Sequence, residues 1–231
     1  MKNQYFGDIN DYLKYGLLRC FANAGLSIGV CWMLTPDDAR SDGRKITYLS
    51  DPERWRPCDR LLFDALSKAV RSRSRHVRHA KSSACLREAQ FFNQMVPDNL
   101  ALRKKWLNRA LATLADADVL FFDPDNGIEI RSNPKGSRNS NKYLYWDEIQ
   151  LAWLQGSSLL IFQHFPRSNH QSVVSSLVSQ LREHTSADEV VSFVTSNVVY
   201  LLACKPKHQL RLRRAFDEVG KNWTGRILIS S

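Results

Sequence analysis

Short apolar runs alternate with amphipathic segments along most of the chain. Residues 28–34, 118–122 and 158–162 form the clearest apolar runs, and runs of this kind are typical of strands buried on both faces of a parallel sheet. Between these runs, apolar residues recur at helical spacing, for example over residues 100–114. The pattern therefore predicts alternating strands and helices.

The predicted elements follow one another in βαβ order. Apolar strands separated by helices imply parallel pairs with right-handed crossovers, whereas the short turn at Ser196-Asn197 requires its two strands to be antiparallel. In residue numbers, the order is helix 11–22, strand 28–34, strand 45–49, helix 59–70, helix 100–114, strand 118–122, helix 146–154, strand 158–165, helix 171–184, strand 190–195, strand 198–204, helix 209–219 and strand 226–229. Residues 76–82 fit neither a helix nor a central strand because they are strongly basic.

These elements predict one α/β domain over residues 1–231. We expect a Rossmann-like domain with a mostly parallel sheet, helices on both faces and an antiparallel strand hairpin near the C-terminus. Residues 1–25 hold an N-terminal motif and helix, residues 26–205 the sheet core, and residues 206–231 a helix and a candidate strand. A chain of 231 residues, 43% of them hydrophobic, is long enough to bury such a core.

The same pattern carries no membrane or targeting signal. The longest apolar runs are short beside the roughly 20 residues that a membrane span needs, and residues 1–5 lack the apolar core of a signal peptide. We therefore expect a cytoplasmic protein without a membrane partner. Five scattered cysteines with no CxxC pair indicate neither a disulfide framework nor a zinc site.

Charge is the first feature that points to a partner. The chain is a basic protein with a formal net charge of +10. Six Lys/Arg and two His crowd into residues 68–81, and a second cluster lies in residues 205–214. Such clusters neutralise phosphates and release counterions, so they favour nucleic acid, without deciding between RNA and DNA. Solvated helix faces without a partner are the alternative. The candidate phosphate-binding residues are Arg71, Arg73, Arg75, Arg78, Lys81 and Arg167.

One candidate site follows the strand predicted over residues 118–122. Asp123-Pro124-Asp125-Asn126 leaves this strand at the carboxyl end, where open parallel sheets bind ligands. The two carboxylates can hold a metal, accept a hydrogen bond from a ligand amine or act as a base. A β-turn is the alternative, because Pro, Asp and Asn are common turn residues.

Two further strand ends carry candidate residues. Gln163-His164-Phe165-Pro166-Arg167 offers an imidazole for proton transfer or metal binding, a ring for stacking and a guanidinium for phosphate. A lone histidine such as His164 is also a common structural residue. The loop over residues 35–43 is rich in Asp and lacks a GxGxxG fingerprint. Trp32 and Thr35, beside this loop, are candidate cofactor-binding residues.

An N-terminal motif precedes all three strand ends. Asp8 or Asp11 can cap the first helix, which leaves the other carboxylate and Lys14 without an assigned structural role. We therefore include Asp8, Asp11 and Lys14 among the candidate site residues.

With these motifs, the chain resembles the class I S-adenosylmethionine-dependent methyltransferases. Within them it is most similar to the large-subunit ribosomal RNA adenine-N6 methyltransferases. Residues 7–15, Gly-Asp-Ile-Asn-Asp-Tyr-Leu-Lys-Tyr, resemble the GNxxDxxKH pattern of that family, and Asp123-Pro124-Asp125-Asn126 resembles its DPPY motif. The order of elements across about residues 10–205 also resembles that fold.

The resemblance implies a cofactor, a target and site residues. It places Asp11 and Lys14 on the side of S-adenosylmethionine, and Asp123 and Pro124 beside the exocyclic amine to be methylated. Asp125 stands in place of the second proline of the motif, and Asn126 in place of its aromatic residue. The implied function is methyl transfer to a base of nucleic acid.

Two alternatives explain the same residues differently. A metal-dependent nuclease or phosphohydrolase would use Asp123 and Asp125, with Asp8 or Asp11 and His164, to hold Mg²⁺ or Mn²⁺. It accounts for the second carboxylate of the strand-end motif, which the methyltransferase hypothesis does not. A non-catalytic nucleic-acid-binding module would use the basic clusters alone.

Overall fold

The computed structural model of the chain describes residues 1–37, 43, 45–72, 75–82, 85–86, 88–165 and 170–230. Strands and helices alternate within these ranges. The strands are β1 Ile28–Cys31, β2 Gln90–Phe92, β3 Val119–Phe122, β4 Gly127–Ile128, β5 Tyr143–Leu144, β6 Ser158–His164, β7 Glu189–Val194, β8 Val198–Cys204 and β9 Leu228–Ser230. The helices are α1 Ile9–Asn23, α2 Pro52–Trp55, α3 Arg60–Arg71, α4 His79–Ser82, α5 Leu100–Thr113, α6 Trp146–Leu154, α7 His170–Thr185 and α8 Gln209–Asn222.

Seven strands form one mixed sheet in the order β2-β1-β3-β6-β8-β7-β9. The first four strands of this order pair in parallel. β8 lies antiparallel between β6 and β7, and β9 pairs antiparallel with β7. β4 and β5 form a separate two-stranded sheet. The predicted α/β fold, with a mostly parallel sheet and an antiparallel hairpin near the C-terminus, is confirmed.

The strands are continuously apolar because helices cover both faces of the sheet. In β3, Val119 and Phe121 pack in the core beneath α1, α3 and α8, whereas Leu120 and Phe122 pack in the core beneath α5, α6 and α7. A strand exposed on one face would alternate apolar and polar residues instead. None of the helices in the described ranges is long and apolar enough to cross a membrane.

The region between β1 and α5 differs from its predicted structure. The prediction of a strand over residues 45–49 is wrong, because Thr47–Ser50 forms a 3-10 helix. The buried Tyr48 of this helix donates a hydrogen bond from its hydroxyl to the carbonyl of Gly7. The second parallel strand is β2, whose three residues include only one that is buried. A segment of three residues is too short to show the apolar pattern by which a strand is recognised in a sequence. The ambiguous residues 76–82 end in the short helix α4.

A glycine in α1 allows a tryptophan to pack against the helix. A Cβ atom on Gly16 would lie 2.0 Å from Cζ2 of the buried Trp223. We expect Gly16→Ala to lower the free energy of unfolding by about 1–3 kcal/mol, because the ring would have to move within a packed core. Gly220 in α8 is the matched control, since a Cβ there would meet no atom within 4 Å.

Gly220→Ala should raise the free energy of unfolding by about 0.5–1 kcal/mol, because alanine has the higher helix propensity. Urea denaturation of both variants measures the two changes. A loss of stability in both, or in neither, would contradict the packing described for Gly16.

Candidate functional site

A pocket of about 860 Å³ opens at the carboxyl ends of β3 and β6. This is the edge at which parallel sheets bind ligands, and the volume lies within the range of about 300–1,000 Å³ that is usual for ligand pockets. Most of the lining comes from the start of α1, the segment after β3, the end of β6 and one face of α7. The N-terminal motif and the two strand-end motifs therefore meet in one cavity.

Lys14 joins the N-terminal motif to the strand-end motif. Its ammonium lies 2.8 Å from Oδ1 of Asp11 and 2.8 Å from Oδ2 of Asp123. Burial alone would lower the pKa of Lys14, but the carboxylates of Asp11 and Asp123 raise it above its usual range. Burial raises the pKa of Asp123, and Lys14 opposes that rise. The network thus holds a charged lysine between two carboxylates in the wall of the pocket.

The carboxylate of Asp11 also organises the turn before α1. Its Oδ2 accepts hydrogen bonds from the backbone N–H of Gly7 and from the hydroxyl of Tyr15. The carboxylate of Asp11 therefore ties Gly7, Lys14 and Tyr15 of this motif together.

Asp8 is the N-cap of α1 and lines the same pocket. Its Oδ1 accepts from the backbone N–H of Asp11, and burial together with the charge of Asp11 raises the pKa of Asp8 to about 7. The folded state thus holds this proton more tightly than the unfolded chain does. The contribution of Asp8 to stability is therefore lost as the pH rises from about 4 towards 7.

We expect Asp8→Asn to raise the free energy of unfolding by about 1–3 kcal/mol at pH 8, because asparagine caps a helix equally well and carries no charge to desolvate. The gain should shrink at about pH 4.5, where the carboxyl of Asp8 is largely protonated in the folded protein. Asp51→Asn, at the exposed N-cap of α2, is the control. Urea denaturation at both pH values tests this, and an equal gain at both would contradict the burial of a carboxylate at position 8.

Two polar side chains in the pocket wall lack hydrogen-bond partners. Oδ1 of Asn10 and Oδ1 of Asp125 are buried without one, and both residues line the pocket. Cationic groups approach the carboxylate of Asp125 at longer range: the amino group of Met1 lies 3.7 Å from Oδ1, and Nζ of Lys2 lies 3.6 Å from Oδ2. These two oxygens are buried acceptors for which the described residues supply no donor.

The rest of the strand-end motif also lines the pocket. Pro124 and Asn126 are in the lining, and the chain bends at Asp125 and Asn126. The backbone N–H of Asn126 donates to the carbonyl of Lys142, which holds the motif against the start of β5.

His164 and Phe165 line the pocket at the end of β6. The imidazole of His164 is exposed to the pocket, but the surrounding protein desolvates it and lowers its pKa to about 4. It is therefore neutral at pH 7 and a weak proton acceptor there. The ring of Phe165 stacks on His170 at 3.9 Å. Arg167 lies outside the described residues.

Trp32 and Thr35 lie behind the pocket instead of lining it. The ring of Trp32 is buried, stacks on Phe91 and lies under the ammonium of Lys14. Thr35 is buried, and its backbone N–H donates to the carbonyl of Met1. Their cofactor-binding role stays a prediction, as does that of the loop over residues 35–43, of which residues 38–42 lie outside the described residues.

The basic cluster at residues 68–81 lies near the rim of the pocket. Arg75 donates to the carbonyls of Phe6 and Gly43, and Gly43 lines the pocket. Arg71, Arg78 and Lys81 are exposed. Arg73 lies outside the described residues.

The second basic cluster lies at the opposite edge of the sheet. Arg211 forms a two-hydrogen-bond ion pair with Asp118, which precedes β3, and Arg213 pairs with Glu189 at the start of β7. Arg211 and Arg213 of this cluster therefore form ion pairs within the protein, and they lie away from the pocket.

Sequence reasoning missed several residues that line the pocket. Asn10 stands beside Asp11 in the first turn of α1, so placing that turn at the sheet edge would have found it. Lys45 and Glu129 also line the pocket, but neither belongs to a motif that could be recognised in the sequence. Their position in the pocket depends on the tertiary structure.

The described part of the pocket contains no cluster of metal-binding side chains. In the described ranges, no three His, Cys, Asp or Glu side chains are grouped closely enough to hold a metal ion. Asp123 pairs with Lys14 and Asp125 lies near Lys2. The metal-dependent nuclease stays an untested prediction.

Comparisons with known proteins give no family for this chain. No family model matches it, and no curated protein matches it significantly. Among solved structures it is similar to protein LPL1258 from Legionella pneumophila str. Philadelphia 1, which is described with the family-model designation DUF519. The two chains are 12% identical, the alignment covers 97% of each, and the TM-score is 0.48. A likeness of this size carries no statement about function.

Proposed function

We propose that this protein is an S-adenosylmethionine-dependent methyltransferase that acts on nucleic acid, at the exocyclic amine of a base. One observation carries the proposal. Lys14 and Asp123, which come from the two motifs that resemble methyltransferase motifs, lie 2.8 Å apart in the wall of one pocket at the carboxyl edge of the sheet. The two motifs are 109 residues apart in the sequence.

The chemistry of the pocket fits a positively charged cofactor. Within the described ranges, five carboxylates line it against three cationic groups, the side chains of Lys14 and Lys45 and the amino group of Met1, although the chain as a whole has a net charge of +10. Opposite charges attract across a low-dielectric pocket, so this excess of carboxylates favours a cation. The lining carboxylates are Asp8, Asp11, Asp123, Asp125 and Glu129.

By the resemblance, Asp11 and Lys14 would hold the cofactor, with Asp8 beside them. When bound, S-adenosylmethionine would supply an electrophilic methyl group on a sulfonium. The unpartnered oxygens of Asn10 and Asp125 suit a molecule with N–H donors. The protein itself contributes a fixed arrangement of acceptors around the acceptor amine, which is catalysis by placement.

Nucleic acid as the substrate rests on the charge distribution. The exposed side chains of Arg71, Arg78 and Lys81 lie in the cluster that Arg75 ties to the pocket rim. Phosphates held there would bring a base to the pocket, and a base in a duplex would first have to flip out. Binding should therefore weaken steeply with salt.

Methyl transfer tests the proposal directly. Purified protein is incubated with methyl-labelled S-adenosylmethionine and, in separate reactions, with RNA and with DNA, and the label in nucleic acid is counted. We expect incorporation into one of them, and a loss of about 100-fold or more in Asp123→Asn. Asp217→Asn, at an exposed position of α8 that does not line the pocket, is the control and should keep the activity. No incorporation, together with no calorimetric binding of millimolar S-adenosylmethionine, would contradict the proposal.

A further inference from the structure

The carboxylate that the resemblance assigns to the target amine is already engaged. Oδ2 of Asp123 accepts from Lys14 at 2.8 Å, its carbonyl accepts from the amino group of Met1, and the residue is 1% exposed. A charged, fixed partner leaves this side chain little freedom to change partners, because releasing Lys14 would leave an uncompensated buried charge. Asp123 is therefore well placed to hold the site in shape.

The next carboxylate in the chain is held less closely. Asp125 is 6% exposed and lines the pocket, and its cationic neighbours lie beyond hydrogen-bond distance, the amino group of Met1 at 3.7 Å from Oδ1 and Nζ of Lys2 at 3.6 Å from Oδ2. Its Oδ1 has no hydrogen-bond partner. Leaving a buried acceptor unsatisfied costs about 1–3 kcal/mol, more when it is charged. Native proteins satisfy most such groups, so an exception needs an explanation. A donor supplied by a ligand explains this one.

A second acceptor in the pocket supports the same explanation. Oδ1 of Asn10, 8% exposed, is also unpartnered and also lines the pocket. Two unsatisfied acceptors and no unsatisfied donor among the described side chains of the pocket indicate that the bound molecule brings hydrogen-bond donors, which the N–H groups of an amine supply. A primary exocyclic amine carries two such donors, whereas a carbonyl at the same position carries none.

We propose that Asp125, and not Asp123, accepts the hydrogen bond of the exocyclic amine to be methylated. This assignment rests on the proposed methyltransferase function. It also explains why Asp stands where the resembling motif has its second proline: proline has no side-chain acceptor to offer.

The chemical step balances with Asp125 as the proton acceptor. The lone pair of the amine nitrogen forms the bond to the methyl carbon, and the electrons of the carbon–sulfur bond remain on the departing sulfur. The nitrogen keeps the electron pair of one N–H bond as that proton moves to Oδ1 of Asp125. Asp125 thus contacts the reacting atom and is a catalytic residue in this scheme.

The test compares bases that differ only in the amine. The probes are short oligouridines that carry one central adenosine or inosine, or one central cytidine or uridine, with binding measured by fluorescence anisotropy without cofactor. We expect wild-type protein to bind the amine-bearing member of each pair about 10-fold more tightly, because a carbonyl would face an acceptor and leave it unpaired. Asp125→Leu should abolish this preference and lower kcat/KM for methyl transfer by about 100-fold.

Asp125→Asn is the matched variant, because its amide oxygen can still accept a hydrogen bond. It should keep most of the amine preference, and both variants should bind S-adenosylmethionine within about 3-fold of wild type. If wild type shows no amine preference, or Asp125→Leu retains it, the assignment of Asp125 is wrong while the proposed function stands. If wild type neither binds S-adenosylmethionine nor transfers methyl groups, the proposed function itself is wrong.

Discussion

Replacement of Lys14 by methionine should lower the free energy of unfolding by about 3–5 kcal/mol, because it leaves two buried carboxylates without their shared cation. Asp11 and Asp123 are 1% exposed, and each lies 2.8 Å from the ammonium that the substitution removes. Methionine fills nearly the same volume as lysine, so the loss of stability is due to the removed charge and not to a cavity. Urea denaturation at pH 7 measures the change.

Two controls separate the buried network from a general effect of removing a lysine. Lys104→Met, at an exposed position on α5, should change the stability only slightly. Adding Asp123→Asn to Lys14→Met should restore part of the loss, because one of the stranded charges is then removed. A loss below about 1 kcal/mol in Lys14→Met would show that the network is not the buried ion pair described above.

Replacement of Arg103 by methionine should also cost about 3–5 kcal/mol, through a second buried ion pair. The guanidinium of Arg103 forms two hydrogen bonds with Glu148, at 2.6 and 2.9 Å, and donates to the carbonyls of Ser140 and Tyr143. The substitution leaves the buried Glu148 with only Lys135, at 3.4 Å, as a cationic partner among the described residues, and it removes the hydrogen bonds that hold the C-terminal end of the segment between β4 and β5. That segment carries Glu129 and Ile130, which line the pocket.

We therefore expect Arg103→Met to weaken cofactor binding as well as stability, as measured by calorimetry and urea denaturation. Arg56→Met is the matched control, because Arg56 forms a similar two-hydrogen-bond pair with Asp64 on the surface. Its effect on stability should be slight, since water screens exposed pairs. Equal losses in the two variants would contradict the importance of burial.

The fold could be predicted from the sequence because its strands are buried on both faces. The apolar run of β3 and the seven residues of β8 are unbroken by polar residues, which marks parallel or central strands without any partner being known. The three-residue β2 could not be found in this way. It is recognised only by its pairing with β1, and that pairing is a tertiary contact.

The candidate site could be located but not resolved into roles from the sequence. Asp123 and Asp125 were both found, because each carboxylate follows directly from a buried strand. Nothing local distinguishes them: Lys14, which donates to Asp123, is 109 residues away from it in the chain. The difference between these two carboxylates arises from the packing of α1 against the sheet edge.

One measurement tests the central claim most directly: the structure of the protein crystallised with S-adenosylhomocysteine, the demethylated form of the proposed cofactor. The account predicts density for the ligand in the pocket bounded by Asp11, Lys14 and Asp123, with the ligand in contact with Asp11 or Lys14 and Oδ1 of Asp125 left free for the target amine. An empty pocket in crystals grown with saturating ligand, or density only at another surface, would contradict it.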